Sequence, residues 1–348
     1  MTVYKFDPIT DSRWPSFLEQ HSDASVFHTK EWLRTLQQTY GYKPVVYSTS
    51  NGNELTNAVV FCQIESRLTG KRLVSLPFSD HCQPLASGKD LREILNYLQD
   101  NCNTERFKYV ELRPIVPETG MDERKQSFVV SERFSFQRVD LRPELNVIYK
   151  NLHDSCIRRK VKRADREGLL HEMGRSEELQ KKFRHLLLLT RRRHKLPPQP
   201  SSWLRNMVNS LGEMVTIYVL SKKNIPVASI VTLKYKNVLV YKYGCSDAQF
   251  NNIGATPLLF WKVIQQAKAE NAQVLDLGRS SRDDLGLIAF KEHLGAVSSE
   301  LSYYRNRIST KGKLLPNVGA SALARQALVH LPDSLFSRVG QLLYRHIG

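Results

Sequence analysis

The chain has 348 residues, 41% hydrophobic and 24% charged, with a formal net charge of +17. These values describe a globular protein of two domains whose core needs no disulfide staples, and no stretch approaches the length of a membrane span. The five cysteines, Cys62, Cys82, Cys102, Cys156 and Cys245, are odd in number and contain no C-x-x-C pair, so neither a disulfide framework nor a metal site is expected. Met1-Thr-Val-Tyr-Lys-Phe-Asp7 has no apolar leader, which makes the cytoplasm the expected compartment, and the inner face of an anionic membrane is open to so basic a protein. The same charge raises the local concentration of nucleic acid, anionic lipid and phosphorylated substrates.

In chain order the first signal is an internal repeat. Trp32-Leu-Arg-Thr-Leu-Gln-Gln-Thr-Tyr-Gly41 aligns with Trp203-Leu-Arg-Asn-Met-Val-Asn-Ser-Leu-Gly212, 171 positions later, and the same offset pairs Tyr47 with Tyr218, Ser50 with Ser221 and Asn53 with Asn224. Each copy reads as a helix, a strand, a polar turn (48–53; 221–224) and a second strand (58–64; 228–233). A helix over 91–101 and a strand over 109–113 then correspond to a helix over 258–270 and a strand over 274–278, which sets Glu111 against Asp276. The order predicts an α/β fold made of two lobes, each a mixed sheet flanked by helices, over 1–148 and 177–308.

Residues 149–176 lie between the lobes as a basic amphipathic helix ending near Gly168. Val161 and Ala164 share one side of it, and Arg159, Lys160, Lys162, Arg163 and Arg166 crowd the others. Arg191-Arg-Arg-His-Lys195 is a second basic run. Residues 309–348 read as a polar linker (309–317) and two short helices flanking Pro332. In the last helix Leu335, Phe336, Val339, Leu342, Leu343 and Ile347 recur at helical spacing, a pattern shared by a helix docked on protein and one lying on a membrane.

The stretch from Tyr241 to Ala296 concentrates the features of a ligand site. Tyr241-Lys-Tyr-Gly-Cys-Ser-Asp247 is a strand running into a turn, followed by the loop Gly254-Ala-Thr-Pro257, the helix from Leu258, the strand Val274-Leu-Asp-Leu-Gly278 and the polar loop 279–286. Strand, helix, strand at this spacing is a βαβ unit with a crevice at the strand C-termini. Thr256 suits an N-cap and Pro257 the first helical position, which would aim free N–H groups at an anion such as a phosphate; a capped core helix has the same pattern.

Several of these segments resemble the FemAB-type, tandem GNAT-fold acyltransferases, in particular the branch with a BioF2-like domain tied to cell-envelope or exopolysaccharide functions. The residues are Val26-Phe-His-Thr-Lys-Glu-Trp32, Val74-Ser-Leu-Pro-Phe-Ser-Asp-His81, Arg159-Lys-Val-Lys-Arg-Ala-Asp-Arg-Glu-Gly168, Thr190-Arg-Arg-Arg-His-Lys-Leu-Pro-Pro198 and Gly286-Leu-Ile-Ala-Phe-Lys-Glu-His-Leu-Gly-Ala296. The resemblance covers residues 24–305 and implies transfer of an acyl or aminoacyl group to an amine or hydroxyl of an envelope or polysaccharide precursor. It also implies that Lys291, beside Phe290, serves the reaction centre. The chain departs from the pattern at one point. A standard GNAT domain holds coenzyme A pyrophosphate with Arg/Gln-x-x-Gly-x-Gly/Ala, and Asn251-Asn-Ile-Gly-Ala-Thr256 differs at both ends. Fem enzymes use aminoacyl-tRNA instead, so acyl-CoA and aminoacyl-tRNA both stand as donors, and the basic charge suits tRNA.

Direct acyl transfer needs orientation, a proton acceptor and a donor for the developing oxyanion. Lys291 supplies positive charge, Asp276 and Asp247 are candidate bases, and Arg279 can hold a phosphate or carboxylate. Tyr243, Ser246, Ser281 and Phe290 would line the substrate pocket. Asn252, Gly254, Ala255 and Thr256, with Arg159, Lys160 and Arg163, would bind donor phosphates. Cys245 has no His partner nearby for a covalent route, and His293 reads as a surface residue. Two other classes fit the charge: a non-catalytic anion or nucleic-acid module on the duplicated scaffold, and a membrane-associated scaffold using 321–347.

Overall fold

Apolar and β-branched runs form strands here, and apolar residues at three-to-four spacing form helices. The computed structural model describes residues 2–117, 128–306 and 330–347. In chain order these form β1 (Tyr4–Phe6), α1 (Arg13–Gln20), α2 (Lys30–Tyr40), β2 (Lys43–Ser48), β3 (Val59–Ser66), β4 (Gly70–Val74), α3 (Gly88–Asn101), β5 (Val110–Leu112) and β6 (Phe128–Asp140). The chain continues through α4 (Leu145–Asn151), a π-turn (Asp154–Arg158), α5 (Arg159–Asp165), β7 (Leu170–Gly174), α6 (Glu177–Arg193), α7 (Ser201–Leu211), β8 (Val215–Lys222), β9 (Ile225–Tyr235) and β10 (Val238–Ser246). It ends with α8 (Ala255–Ala269), β11 (Val274–Ser281), α9 (Leu285–His293), β12 (Val297–Asn306) and α10 (Asp333–Ile347).

Among the described residues, 2–133, 301–306 and 341–347 form one compact unit and 134–300 with 330–340 form the second. In the first, β1-β2-β3-β4-β5 are neighbours in that order, antiparallel except for the parallel pair β4 and β5, and residues 301–306 of β12 pair antiparallel with β5. In the second, β7-β8-β9-β10-β11 repeat that order, with β10 and β11 parallel and residues 134–140 of β6 antiparallel to β11. Register repeats with order: Tyr47 faces Val59 and Tyr218 faces Ile230, both shifted by 171, and Val74 faces Glu111 as Val240 faces Asp276. The last strand of each unit comes from elsewhere in the chain, so among the described residues the chain passes between units at 133/134, at 300/301 and within α10 at 340/341.

Each sheet carries its repeat-equivalent helix on an apolar face. In the first unit Leu91, Ile94, Leu95 and Leu98 of α3 pack with Val45, Phe61, Leu73 and Val110. In the second, Leu258, Leu259, Val263 and Ile264 of α8 pack with Tyr218, Ile230, Leu239 and Leu275, and Val161 and Ala164 of α5 join them. Burial of this kind stabilises by about 1.5–3 kcal/mol per large side chain.

Three elements differ from the sequence expectation. The basic segment 149–176 is not one helix and falls inside the second unit: Gly168, at φ +62, takes the left-handed conformation that stops α5, and Leu170–Gly174 becomes an edge strand against β8. β11 does not end at Gly278, because Arg279, Ser280 and Ser281 pair with Phe136, Ser135 and Phe134 beyond a bulge. α8 starts at Ala255 with Gly254 as its N-cap, which leaves Thr256 in the first turn and Pro257 as the third helical residue. The expected linker 309–317 and the first tail helix lie outside the described residues. In α10, Phe336 is fully buried under the Arg192 guanidinium at 4.8 Å, and Arg192 bonds Asp333 at 2.6 Å, so this part of the helix docks on its own unit. No described helix is long and apolar enough to cross a membrane.

Candidate active site

The site begins where β10 and β11 stop pairing. Their parallel register covers only Val238–Val240 against Val274–Asp276, while β10 runs on to Ser246 and β11 to Ser281. β10 bulges against β9 between Tyr241 and Tyr243, and β11 bulges against β6 between Asp276 and Arg279. Near the end of β10 lies a cleft of about 300 Å³ lined by Lys160, Ser246, Asp247, Phe250, Asn251, Ala255, Thr256 and Phe290.

The floor of the cleft is the N-terminus of α8. Gly254 takes φ +78, no side chain caps the helix, and its first turn holds no acidic residue. The amides of Ala255 and Thr256 therefore have no intrahelical acceptor, and they stand at the positive end of the helix dipole. Gly254 is required twice over: its φ suits glycine, and a Cβ there would lie 2.5 Å from the Lys160 carbonyl oxygen. The wall is pinned to α6, where Thr190 Oγ1 accepts from the Ser246 amide at 3.0 Å and Arg193 donates to the Ser246 carbonyl at 3.3 Å. Asp247 Oδ1 accepts from the Gln249 amide at 3.0 Å.

Of the residues singled out in the sequence, Lys160, Ser246, Asp247, Ala255, Thr256 and Phe290 meet in this cleft and Gly254 shapes it. Lys291 does not line it. It is 3% exposed, and its Nζ donates to the carbonyls of Gly278 and Arg279, each at 3.1 Å, and to Gln137 Oε1 at 3.3 Å. Asp276, 2% exposed, accepts from the Gly278 amide at 2.7 Å, so these two expected reaction-centre groups knit the bulge of β11. The expected convergence of Lys291 and Arg279 is replaced by a backbone contact, while the Arg279 guanidinium stacks on Phe134 at 4.1 Å.

Tyr243 accepts from Trp203 Nε1 at 2.8 Å and faces a separate cavity of about 380 Å³ between α6 and α7. Ser281 is exposed at the end of β11, and Asn252 is exposed before Gly254. Arg159 is held by Asp154 at 3.0 Å and Arg163 approaches Glu167 at 3.9 Å. Burial pushes the Cys245 thiol far up, which rules against a thiolate nucleophile. The supporting roles of Thr190, Gln137 and Trp203 are not legible in the sequence, because each acts on a residue distant in the chain, and the local patterns that hold Thr190 and Trp203 do not show what they touch.

Residues 154–292 match the Acetyltransferase (GNAT) domain family. No curated protein matches the chain. Among solved structures, FemX is similar in fold at 13% identity and TM-score 0.63, over 87% of this chain and 97% of that one. A tandem GNAT protein from the clavulanic acid biosynthesis pathway aligns at 9% identity and TM-score 0.55, over 87% and 97%. L-PGS from Bacillus licheniformis aligns at 14% identity and TM-score 0.53, over 86% and 92%. The protein thus has a fold like that of FemX and the tandem GNAT protein, and the segment that matches the Acetyltransferase (GNAT) domain lies in the second unit.

Proposed function

We propose that this protein is an acyltransferase that takes an aminoacyl group from tRNA and delivers it to an amine or hydroxyl of a cell-envelope or polysaccharide precursor. One observation carries the donor assignment: the cleft at the α8 N-terminus is rimmed by Lys160, one of five exposed basic residues (Arg159, Lys160, Lys162, Arg163, Arg166) along α5. Such a row suits a polyphosphate backbone. The α5 backbone also places the Lys160 carbonyl against Gly254, in the loop on which a coenzyme A pyrophosphate would rest. A carbonyl oxygen there repels a pyrophosphate. The envelope acceptor rests on the resemblance to Fem enzymes.

In this reading the acceptor nitrogen or oxygen attacks the acyl carbonyl carbon at the mouth of the splayed strands. Asp247, in the cleft wall, takes the acceptor proton, and the ester bond to the tRNA 3′ oxygen breaks as that oxygen is protonated. Lys291 and Asp276 act as positioning residues that hold the β11 bulge, and the Lys291 ammonium adds positive potential for the oxyanion. A second reading, acyl-CoA as donor, is favoured by the GNAT domain match and the uncapped α8 amides. It uses the same attack with a thiol as leaving group. Calorimetry with bulk tRNA and with coenzyme A at two salt concentrations separates them. The tRNA reading expects binding that weakens steeply with salt; tight, salt-insensitive coenzyme A binding without tRNA binding overturns it.

A further inference from the structure

Outside the cleft, His153, Cys156 and His293 each bring a ligand atom to within 4.8 Å of the others, the one such group of three among the described residues. Their sequence separation hides them, and the fold assembles them on a rigid frame. The His153 amide donates to the His293 carbonyl at 2.9 Å, setting the two rings side by side with centroids 4.3 Å apart and planes at 52°. Cys156 lies within the π-turn, an element often found at functional sites, three residues after His153. His153 Nδ1 accepts from the Cys156 amide at 3.3 Å and meets Ser155 Oγ at 3.4 Å, contacts at the weak end of the hydrogen-bond range that a metal bond can replace. Cys156 is only partly buried, and Arg158 and Arg159 of the same turn are both paired with Asp154, which tempers the positive charge around the sulfur.

We propose that these three side chains bind a divalent transition metal of the zinc kind, with solvent in the fourth position. Two imidazoles and one thiolate are a donor set for zinc and not for magnesium or calcium. With bonds of roughly 2.0–2.3 Å, a tetrahedral zinc spaces such donors about 3.3–3.6 Å apart, so shifts of about 1 Å close the site. Binding releases the Cys156 proton to solvent and joins S⁻ to the metal, while each imidazole gives a lone pair. The ion clips α9, which carries Phe290 and Lys291, to the π-turn.

The test uses the full-length reduced protein, with Zn²⁺ titrated against a chromophoric chelator and Co²⁺ as the spectroscopic probe. One ion per chain, a thiolate-to-cobalt charge-transfer band and a raised Tm with Zn²⁺ are expected. Cys156→Ser should abolish the band and the Tm shift. His293→Asn and His153→Asn, the latter keeping an acceptor to cap the turn, should weaken Zn²⁺ binding by at least the ~10–100-fold seen when only a supporting partner of a ligand is lost. A Co²⁺ spectrum without the thiolate band, no binding by the wild type, or equal Zn²⁺ affinity in Cys156→Ser overturns the proposal. None of these readouts depends on the identity of the acyl donor.

Discussion

The two sheets share strand order and register, yet the same end is filled in one unit and open in the other. In the first unit Glu111, 2% exposed, pairs with Arg113 at 2.7 Å and Arg305 at 2.6 Å. Arg113 also donates to the carbonyls of Leu76 and Ser79, locking the segment that follows β4 over the strand ends, with His81, Cys82 and Gln83 buried. Burial alone would raise the Glu111 carboxyl, but the two guanidinium groups outweigh it and hold it low. In the second unit Asp276 occupies the register position of Glu111, and the residue two further on is Gly278 instead of Arg113. There the Lys291 ammonium donates to the Gly278 carbonyl, β10 continues to Ser246, and a cleft lies near the end of β10. The helices follow suit, since α3 has Asp90 in its first turn and α8 has no acidic residue there. The duplicated frame therefore carries one end filled by paired side chains and one end with a cleft.

The two ends should differ most in energy at their buried carboxylates. Glu111→Gln removes the carboxylate from two partly buried guanidinium groups, of which Arg305 keeps Glu132 at 3.8 Å, and should cost about 3–5 kcal/mol of stability in urea unfolding, against about 1–3 kcal/mol for Asp276→Asn, which weakens the bond from the Gly278 amide. Equal costs would show that the two carboxylates do the same job. Acid should act through the first unit. Burial lowers His28 to about 4, so the unfolded chain takes up a proton near pH 6.5 that the folded state refuses. Stability should fall by on the order of 3 kcal/mol as pH drops from about 6.5 to 4 and be complete above that window. The position 171 residues on is Gln199, which cannot titrate, so His28→Gln should flatten the profile.

At the β11 bulge, Lys291→Met removes three hydrogen bonds to buried acceptors and should lower stability by about 1–3 kcal/mol together with transfer activity. Unchanged activity in a folded Lys291→Met would remove this lysine from the mechanism. The smallest effect on the fold belongs to α5. Arg159→Gln, Lys160→Gln and Arg163→Gln combined should leave stability within about 1 kcal/mol and reduce the salt dependence of tRNA binding by about one unit of slope for each phosphate that is no longer neutralised.

The pattern of side chains made much of this frame legible. The offset of 171 is preserved in the strand pairing of Tyr47 and Tyr218, and the apolar positions of α3 and α8 are those buried in the cores. β7 escaped because an edge strand of Leu170-His-Glu-Met-Gly174 alternates weakly. At the site, Ser246, Asp247 and Thr256 lie at strand or helix ends, where the βαβ spacing pointed, while Lys160 stood out in the basic run and Phe290 through the family resemblance. The placement of Lys291 was not legible, because a lysine after phenylalanine on a short helix does not reveal that its amine reaches the carbonyls of Gly278 and Arg279. Such bonds depend on a bulge and on a strand from elsewhere in the chain, and neither leaves a local trace.

If the open end of the second unit holds the donor, a negative charge placed there must repel it. Thr256→Asp puts a carboxylate in the first turn of α8, as Asp90 stands in α3. Calorimetry with bulk tRNA and with coenzyme A should show that whichever probe binds the wild type loses at least about tenfold in affinity in Thr256→Asp, a like-charge penalty of about 1.4 kcal/mol or more in a low-dielectric cleft. Asp90→Asn in the first unit should change neither. Full affinity for the donor in a folded Thr256→Asp would contradict a donor site at this end of the sheet.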